Sequence, residues 1–123
     1  IIFTLSKTTN DKEQSMLAVT AIIRPEKIID VQDALYSKGF CAMTKINVSG
    51  RGKERGIKVG DVLYQEMTKI MIYMVVEDDE KDIVVDTLMQ SAMTGESGNP
   101  GDGKIFVSPV YESYTISSQS LDL

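Results

Sequence analysis

Residues 69–76 carry apolar side chains on both faces of the strand that they predict. Successive side chains of an extended chain point to opposite sides. The run therefore divides into Ile70, Ile72, Met74 and Val76 on one face and Met71, Tyr73 and Val75 on the other. An antiparallel sheet with one face in water alternates apolar and polar residues, and this strand does not. Because the two helices predicted elsewhere cover one face of a sheet, we expect another copy of the chain to cover the second face.

The remaining periodicities place this strand third in a β-α-β-β-α-β order. Pro25 suits the first turn of a helix and Gly39 suits its end. The first half is predicted to contain a strand over 17–23, a helix from Pro25 to Gly39 that buries Ile28, Val31, Ala34 and Leu35, and a strand over 41–48. A long protruding loop or ribbon from Gly50 to about Thr68 leads to the strand over 69–76. The rest is predicted to contain a helix capped by Asp78 or Asp79 that buries Val84, Val85, Leu88, Met89 and Ala92, a glycine-rich loop, a strand over 104–107 and a short strand over 111–116. This order is typical of the α+β ferredoxin-like fold. We assign residues 16–123 to that domain and residues 1–15 to an N-terminal extension.

Missing residue types exclude several classes of function. The chain has no histidine, the commonest general base and metal ligand. Its single cysteine, Cys41, cannot form an intrachain disulfide, and we interpret it as a small apolar strand residue. The formal charge of −5 argues against a general nucleic-acid binder. With no apolar run long enough to span a membrane and no basic leader, the sequence predicts a cytoplasmic protein.

Positive charge is concentrated in the first long loop. The basic residues of that loop are Arg51, Lys53, Arg55 and Lys58, and Gly50, Gly52 and Gly56 lie among them. Such a loop can close over a phosphate or dock on an acidic partner, although a solvated run of charges is the commoner case. An RNA-binding surface would need aromatic residues on the central strands, which carry mainly Ile, Val and Met.

Residues 98–104 match the phosphate-binding pattern G-x-x-x-x-G-K. The glycines allow successive backbone N–H groups to converge on an anion, and Lys104 adds charge. Two features argue against a P-loop NTPase. Ile105 stands where a P-loop has the Ser or Thr that binds magnesium, and the loop leads into a strand instead of a helix. The residues themselves leave two interpretations open, an anion-binding loop and a flexible turn with a surface lysine.

Three segments together resemble the PII signal-transduction family, in the order in which that family has them. Residues 21–27 resemble the prolyl turn after its first strand, and residues 50–53 resemble the start of its T-loop, which we place at 50–68. Residues 94–95 and 101–107 resemble its B-loop, placed at 94–104, and the strand that follows. Residues 58–64 and Asn99-Pro100 are most similar to the nitrogen-fixation-associated branch.

The resemblance implies a homotrimer with nucleotide sites between the subunits. In the family ATP and ADP compete for these sites, and 2-oxoglutarate joins ATP and magnesium at the base of the T-loop, which then engages or releases a target protein. The nucleotide residues carried over by position are Ile22, Thr44, Gly50, Arg51, Val75, Gly101, Asp102, Gly103 and Lys104. Lys69 would bind 2-oxoglutarate, and the T-loop residues Lys53, Arg55, Lys58 and Tyr64 would contact the partner.

Two departures from the family pattern bear on its ligands. Many members carry two arginines that reach the phosphates of a neighbouring subunit, and Thr115 and Ser117 stand at those positions here. The T-loop glutamine of the family is replaced by Gly52 or Glu54. We therefore expect weaker ATP binding than in a standard member, and an acidic group near the 2-oxoglutarate position would repel that dicarboxylate.

The leading hypothesis is a non-catalytic regulator of nitrogen metabolism with nitrogenase, glutamine synthetase or an ammonium channel as its target. An alternative is a PII-like sensor of another nucleotide or metabolite in carbon or metal physiology. A small hydrolase on the same fold, similar to acylphosphatases, would pair Arg24 with an asparagine on the second strand, and no suitable asparagine is present.

Overall fold

The structure is a computed structural model that describes residues 15–51, 57–59, 62–64 and 66–122. Within these residues the strands are β1 (Met16–Ile23), β2 (Thr44–Arg51), β3 (Ile57–Val59), β4 (Val62–Tyr64), β5 (Glu66–Glu77), β6 (Gly103–Val110), β7 (Tyr114–Thr115) and β8 (Ser120–Leu121). The helices are α1 (Ile28–Ser37) and α2 (Lys81–Ala92), each preceded by a short 3-10 turn, Pro25–Lys27 and Asp78–Glu80. The N-terminal extension, apart from Ser15, lies outside the described residues.

Four strands form an antiparallel sheet in the order β2-β5-β1-β6. The helices α1 and α2 pack on one side of it and against each other. This arrangement confirms the ferredoxin-like α+β fold predicted from the element order. No helix in the part of the chain that the structure describes is long and apolar enough to cross a membrane.

The core lies between the helices and one face of the sheet. Across the sheet, Ala21 of β1 stands opposite Ile72 of β5 and Ile105 of β6. The most buried side chains of the core are Val19, Ile23, Val31, Leu35, Ile72, Val84 and Leu88. Burying one such side chain contributes about 1.5–3 kcal/mol.

The other face of the sheet, which we call the outer face, is apolar and exposed. Along β5, Ile72, Met74 and Val76 are buried, whereas Tyr73 and Val75 are each 42% exposed. The predicted division of this strand into one buried face and one opposite apolar face is therefore confirmed. Ile46 of β2 and Phe106 of β6 extend the exposed apolar surface across the sheet, at 51% and 53% exposure.

The predicted bounds of several elements were wrong. The second strand begins at Thr44 instead of residue 41 and continues to Arg51, and the third begins at Glu66 instead of residue 69. Arg51 stands opposite Glu66, so the two strands extend as a ribbon into the segment predicted to be a protruding loop or ribbon. Opposite charges facing each other across two strands favour such pairing.

The second helix differs from the prediction in its cap and in one core residue. Glu77 caps the 3-10 turn Asp78–Glu80 that leads into the helix and forms a reciprocal capping box with Glu80, and the N-cap of α2 itself is Glu80 and not Asp78 or Asp79. Met89 is 51% exposed, so its assignment to the buried stripe was wrong, while Val84, Leu88 and Ala92 are buried as predicted. Met89 lies outside the core because α2 packs over β1. The side of α2 that faces the edge strand β6, where Met89 lies, is left uncovered.

The C-terminal segment forms a hairpin instead of the single strand predicted over 111–116. β7 pairs with β8 around a turn in which Gln119 adopts a positive φ of 56°. The hairpin is closed by the Asp122 carboxylate, which accepts hydrogen bonds from the hydroxyls of Ser113 at 2.8 Å and Thr115 at 2.7 Å.

Candidate functional site

The antiparallel register brings the B-loop and the base of the T-loop to the same end of the sheet. β6 begins at Gly103, which stands opposite Ile23, the last residue of β1. Ile23 also stands opposite Ile70 near the start of β5, and Ile70 stands opposite Asn47 near the end of β2. The two glycine-rich segments of the sequence are therefore neighbours in space, although about fifty residues separate them along the chain.

The B-loop is folded around the carboxylate of Asp102. This carboxylate accepts four hydrogen bonds: from the Thr94 hydroxyl at 2.6 Å, from the Thr94 backbone N–H at 2.9 Å, from the Asn99 backbone N–H at 3.0 Å and from Nε of Arg24 at 2.9 Å. The side-chain amide of Asn99 donates back to the Thr94 hydroxyl at 2.8 Å, which closes the network.

These donors hold Asp102 in its charged form. The hydrogen bond from the Thr94 hydroxyl, followed by those from the backbone N–H groups and from Arg24, lowers the pKa of Asp102 well below the ordinary aspartate value. Hydrogen bonds to an ionised carboxylate favour that form because they are stronger than those to the neutral acid. Asp102 is therefore a structural anion of the loop, with its oxygens directed at the chain itself.

Arg24 joins the end of β1 to the B-loop with two groups of its guanidinium. Besides the Nε contact to Asp102, its Nη2 donates to the carbonyl oxygen of Pro100 at 2.9 Å. The side chains of Arg24 and Asp102 are 21% and 18% exposed, so water screens this ion pair less than a pair on the open surface.

Gly103 allows the B-loop to approach β1 closely. A Cβ at this position would lie 2.0 Å from the carbonyl oxygen of Ile22, and its φ of 130° is one that other residues rarely adopt. Glycine is therefore required here by both space and backbone conformation.

Two lysines flank this end of the outer face. Nζ of Lys69 in β5 donates to the carbonyl oxygen of Gly101, so Lys69 ties β5 to the B-loop. Lys104 lies on β6 opposite Ile22, and its exposed side chain makes no hydrogen bond or ion pair with any residue that the structure describes. The glycine-rich loop and the two cations form an arrangement suited to an anion.

The outer face carries the predicted nucleotide residues that belong to the sheet. Ile22, Thr44 and Val75 all point to this side, with Thr44 opposite Tyr73 and Val75 opposite Ala18. From Lys69 to Val75 the strand covers roughly 20 Å. Gly50 and Arg51 are the last two residues of β2 and are exposed.

Several predicted T-loop residues lie outside what the structure describes. Lys53 and Arg55 are not among the described residues. Lys58 and Tyr64 belong to the β3–β4 hairpin, where Lys58 stands opposite Leu63 and Tyr64 opposite Ile57. Their roles in contacting a partner remain predictions.

A cleft of about 740 Å³ opens on the opposite, helix side of the sheet. Its walls include Val85 and Met89 of α2 and Val107 of β6, and it reaches the B-loop at residues 97–100 and 102–104, Lys104 included. Ile22, Thr44 and Val75 do not line it. We therefore place the candidate site on the outer face, where the lysines Lys69 and Lys104 meet the loop, and not in this mainly apolar cleft.

Sequence reasoning missed two features of the site. Arg24 was considered only as a residue of a hydrolase, and its contact with Asp102 joins residues 78 positions apart, for which the sequence gives no local signal. The second is the hydrogen bond from the Thr115 hydroxyl to the Asp122 carboxylate. Thr115 is one of the two residues at which the family resemblance leads us to expect an arginine, and its hydroxyl is directed at a carboxylate of the same chain.

Within the described ranges, no three histidine, cysteine or acidic side chains are placed to hold a metal ion. Magnesium binding remains a prediction.

Comparison with known proteins connects this arrangement to one family. The sequence profile described as "Nitrogen regulatory protein P-II" matches residues 16–120. A "Nitrogen fixation nifHD2 region GlnB-like protein 1" of Methanosarcina barkeri is 52% identical over 103 residues, covering 84% of this chain and 95% of the relative. The corresponding nifHD region protein of Methanothermococcus thermolithotrophicus is 48% identical over 101 residues, covering 82% and 93%. The crystal structure of Arabidopsis thaliana PII bound to citrate is 30% identical, with a TM-score of 0.68 over 88% of this chain and 89% of that one.

Proposed function

Because the chain belongs to the P-II nitrogen regulatory family, whose members are non-catalytic regulators, we propose that it senses ATP and ADP on the outer face of its sheet and controls a target protein through its T-loop. The observation that carries this proposal is the meeting of the ordered B-loop with Lys69 and Lys104 at the base of the T-loop. A ligand bound there would contact both loops, so its charge could change the conformation of the T-loop.

The exposed apolar outer face supports assembly into a homotrimer. Tyr73, Val75, Ile46 and Phe106 are between 42% and 53% exposed in the single chain. Surfaces of this kind on small soluble domains are usually covered by association. In a trimer the nucleotide would lie between subunits, and the C-terminal hairpin of one subunit would approach the phosphates bound to the next.

A carboxylate effector beside Lys69 is supported by the kind of ligand in a similar protein. The Arabidopsis PII structure contains citrate, a tricarboxylate. 2-Oxoglutarate is a smaller dicarboxylate, and a half-buried lysine at the foot of the T-loop would be its counter-charge. Lys69 would then have to exchange its hydrogen bond with the Gly101 carbonyl for one with the effector.

The names of the similar proteins support nitrogen fixation as the process that is regulated. Both methanogen relatives are described by their nitrogen fixation nifHD regions. We propose nitrogenase as the first target to test, with glutamine synthetase and an ammonium channel as the other candidates. Binding would depend on the T-loop, whose conformation the nucleotide would set.

One observation favours a second candidate, a sensor of another nucleotide or metabolite in carbon or metal physiology. Thr115 and Ser117 occupy the positions of the two family arginines, and the Thr115 hydroxyl is bonded to Asp122. A negatively charged residue in this hairpin would repel the γ-phosphate of ATP more than it would repel a ligand of lower charge.

Calorimetric titration distinguishes the two candidates. The purified protein is titrated with ATP and magnesium, with ADP, and with ATP in the presence of 2-oxoglutarate. The first proposal requires ATP binding; if that binding also tightens when 2-oxoglutarate is present, 2-oxoglutarate is an effector. Lys104→Gln should weaken that binding about tenfold, because hydrogen bonds to charged groups contribute about 1.5–3 kcal/mol. Lys45→Gln is the matched control, since Lys45 is bonded to Gln32 on the helix side and should leave the affinity unchanged. Absence of binding by both nucleotides would refute the first candidate and leave the second.

A further inference from the structure

We propose that Arg24 is a positioning residue for the B-loop, which it holds through Asp102 and Pro100 in an anion-binding shape without itself contacting the ligand. The inference rests on the proposed nucleotide binding, because the shape of the loop has a functional consequence only if an anion binds there. Arg24 belongs to the turn after β1 and therefore acts on the loop from outside it.

The two contacts of Arg24 use the planar geometry of its guanidinium. Nε binds the Asp102 carboxylate and Nη2 binds the Pro100 carbonyl oxygen, each at 2.9 Å. Arginine presents its N–H groups in a rigid fork, so the two acceptors are fixed relative to each other. A lysine at this position could keep the charge but could not hold both acceptors in that geometry.

The orientation of two successive carbonyl groups depends on cations from neighbouring strands. The Pro100 carbonyl oxygen is held by Arg24, and the Gly101 carbonyl oxygen is held by Nζ of Lys69. A carbonyl oxygen turned towards a phosphate would repel it. The Pro100 oxygen is therefore not free to turn towards a bound anion, and the Gly101 oxygen is not free to do so while Lys69 binds it.

The backbone of the B-loop makes such external anchors necessary. Gly95, Gly98, Gly101 and Gly103 all have positive φ values. Glycine-rich chain has a large conformational entropy to lose on becoming ordered. Thr94 and Asn99 bind Asp102 from within the loop, so they close it on itself without fixing its position relative to the sheet. Arg24 supplies that link from the end of β1, beside the bond that Lys69 of β5 makes to Gly101.

Removal of Arg24 would also change the charge that an incoming phosphate meets. Asp102 is largely buried and ionised, and Arg24 is its ion-pair partner. A partly buried carboxylate left without its cation is unfavourable and repels anions nearby. Loss of loop order and loss of charge compensation therefore act in the same direction on nucleotide affinity.

The test compares Arg24→Gln, Arg24→Lys and the control Lys27→Gln. Lys27 lies three residues further along the chain and pairs with Asp30 at 3.6 Å, so its substitution makes the same change in charge outside the B-loop network. Two quantities are measured on the intact protein: the affinities for ATP and ADP, by calorimetry, and the hydrogen-exchange rates of the Thr94 and Asn99 amides. We expect Arg24→Gln to weaken both affinities about tenfold and to accelerate exchange of both amides about tenfold. Arg24→Lys should recover part of each loss, and Lys27→Gln should alter neither.

Each outcome decides the inference. Wild-type affinity and wild-type exchange in Arg24→Gln would overturn it, as would equal losses in Lys27→Gln. If the wild-type protein binds neither nucleotide, the proposed function fails. Faster amide exchange in Arg24→Gln than in the wild type and in Lys27→Gln would then still establish that Arg24 orders the loop. Unchanged exchange in Arg24→Gln would refute that role. If Arg24→Gln does not fold, Arg24→Lys takes its place, with intermediate values expected and wild-type values contradicting the inference.

Discussion

Replacement of Gly103 by alanine should be among the most damaging single substitutions in the chain. The added Cβ would lie 2.0 Å from the Ile22 carbonyl oxygen, whereas ordinary contacts begin near 3.4 Å. β1 and β6 would therefore have to separate by more than an ångström at the point where the B-loop enters the sheet. A displacement of that size lengthens the adjoining ladder hydrogen bonds beyond their useful range.

The expected cost follows from two contributions. A non-glycine residue at a φ of 130° costs about 1–3 kcal/mol in backbone strain. Two weakened ladder hydrogen bonds add about 1 kcal/mol each. The total of about 3–5 kcal/mol is a large part of the 5–15 kcal/mol that stabilises a typical domain. For a domain of this size it corresponds to a decrease of roughly 10–20 °C in the unfolding temperature.

Gly39→Ala is the matched control for this prediction. Gly39 also has a positive φ, of 94°, but a Cβ there would meet nothing within 4 Å. It should therefore show the strain alone, at about 1–2 kcal/mol. Thermal unfolding of both variants is followed by circular dichroism at one protomer concentration, because association changes the apparent stability. Equal losses in the two variants would refute the argument that the contact with Ile22 makes Gly103 necessary.

Three further predictions concern charge and assembly. Because the folded-state pKa of Asp102 is lowered, its ionised form adds stability above pH ~4, and this stability is lost as the pH falls further. Asp102→Asn should therefore lower the free energy of unfolding by about 1–3 kcal/mol at neutral pH. Urea unfolding should show that the difference from wild type becomes smaller below pH ~4. Ser117→Arg should tighten ATP binding about tenfold or more by calorimetry if the C-terminal hairpin reaches a neighbouring phosphate site, and an unchanged affinity would contradict that placement. Tyr73→Asp on the outer face should convert a trimer into smaller species in sedimentation experiments. Tyr36→Asp, at an exposed tyrosine of α1, is the control and should leave the trimer intact. A trimer that survives both changes would place the interface elsewhere.

Periodicity was sufficient to predict the fold because each buried face repeats at the spacing of its element. The alternation along β5 and the positions Val31, Leu35, Val84 and Leu88 follow directly from the side on which the core lies. Met89 shows the limit of this reasoning. A hydrophobic residue at the edge of a helical stripe is buried only if a neighbouring element covers that side, and the sequence pattern does not contain this information.

Element ends were harder to predict because local composition and pairing gave opposite indications. Gly50 and Arg51 look like loop residues, yet β2 continues through them because β5 continues on the other side, with Glu66 facing Arg51. At the start of α2, four consecutive acidic residues could all serve as the cap. The choice of Glu77 as the cap of the 3-10 turn that leads into α2 follows from the register of β5, which ends where Met16 begins β1.

In the proposed homotrimer, the positive charge that a bound phosphate meets would come mainly from the subunit that carries the B-loop. Among the residues whose side chains the structure describes, Arg24 is engaged by Asp102 and Pro100, Thr115 by Asp122 and Lys69 by the Gly101 carbonyl oxygen, which leaves Lys104 as a cation without such a contact beside the B-loop on the outer face. A relative with two arginines at the positions of Thr115 and Ser117 would bring two more positive charges to the same ligand. Because the γ-phosphate adds negative charge to ATP that ADP lacks, the missing arginines should weaken ATP binding more than ADP binding. The ratio of the two affinities is therefore the quantity in which this chain should differ most from such a relative. Ser117→Arg should shift that ratio towards ATP, and an equal gain for both nucleotides would show that the hairpin does not approach the γ-phosphate.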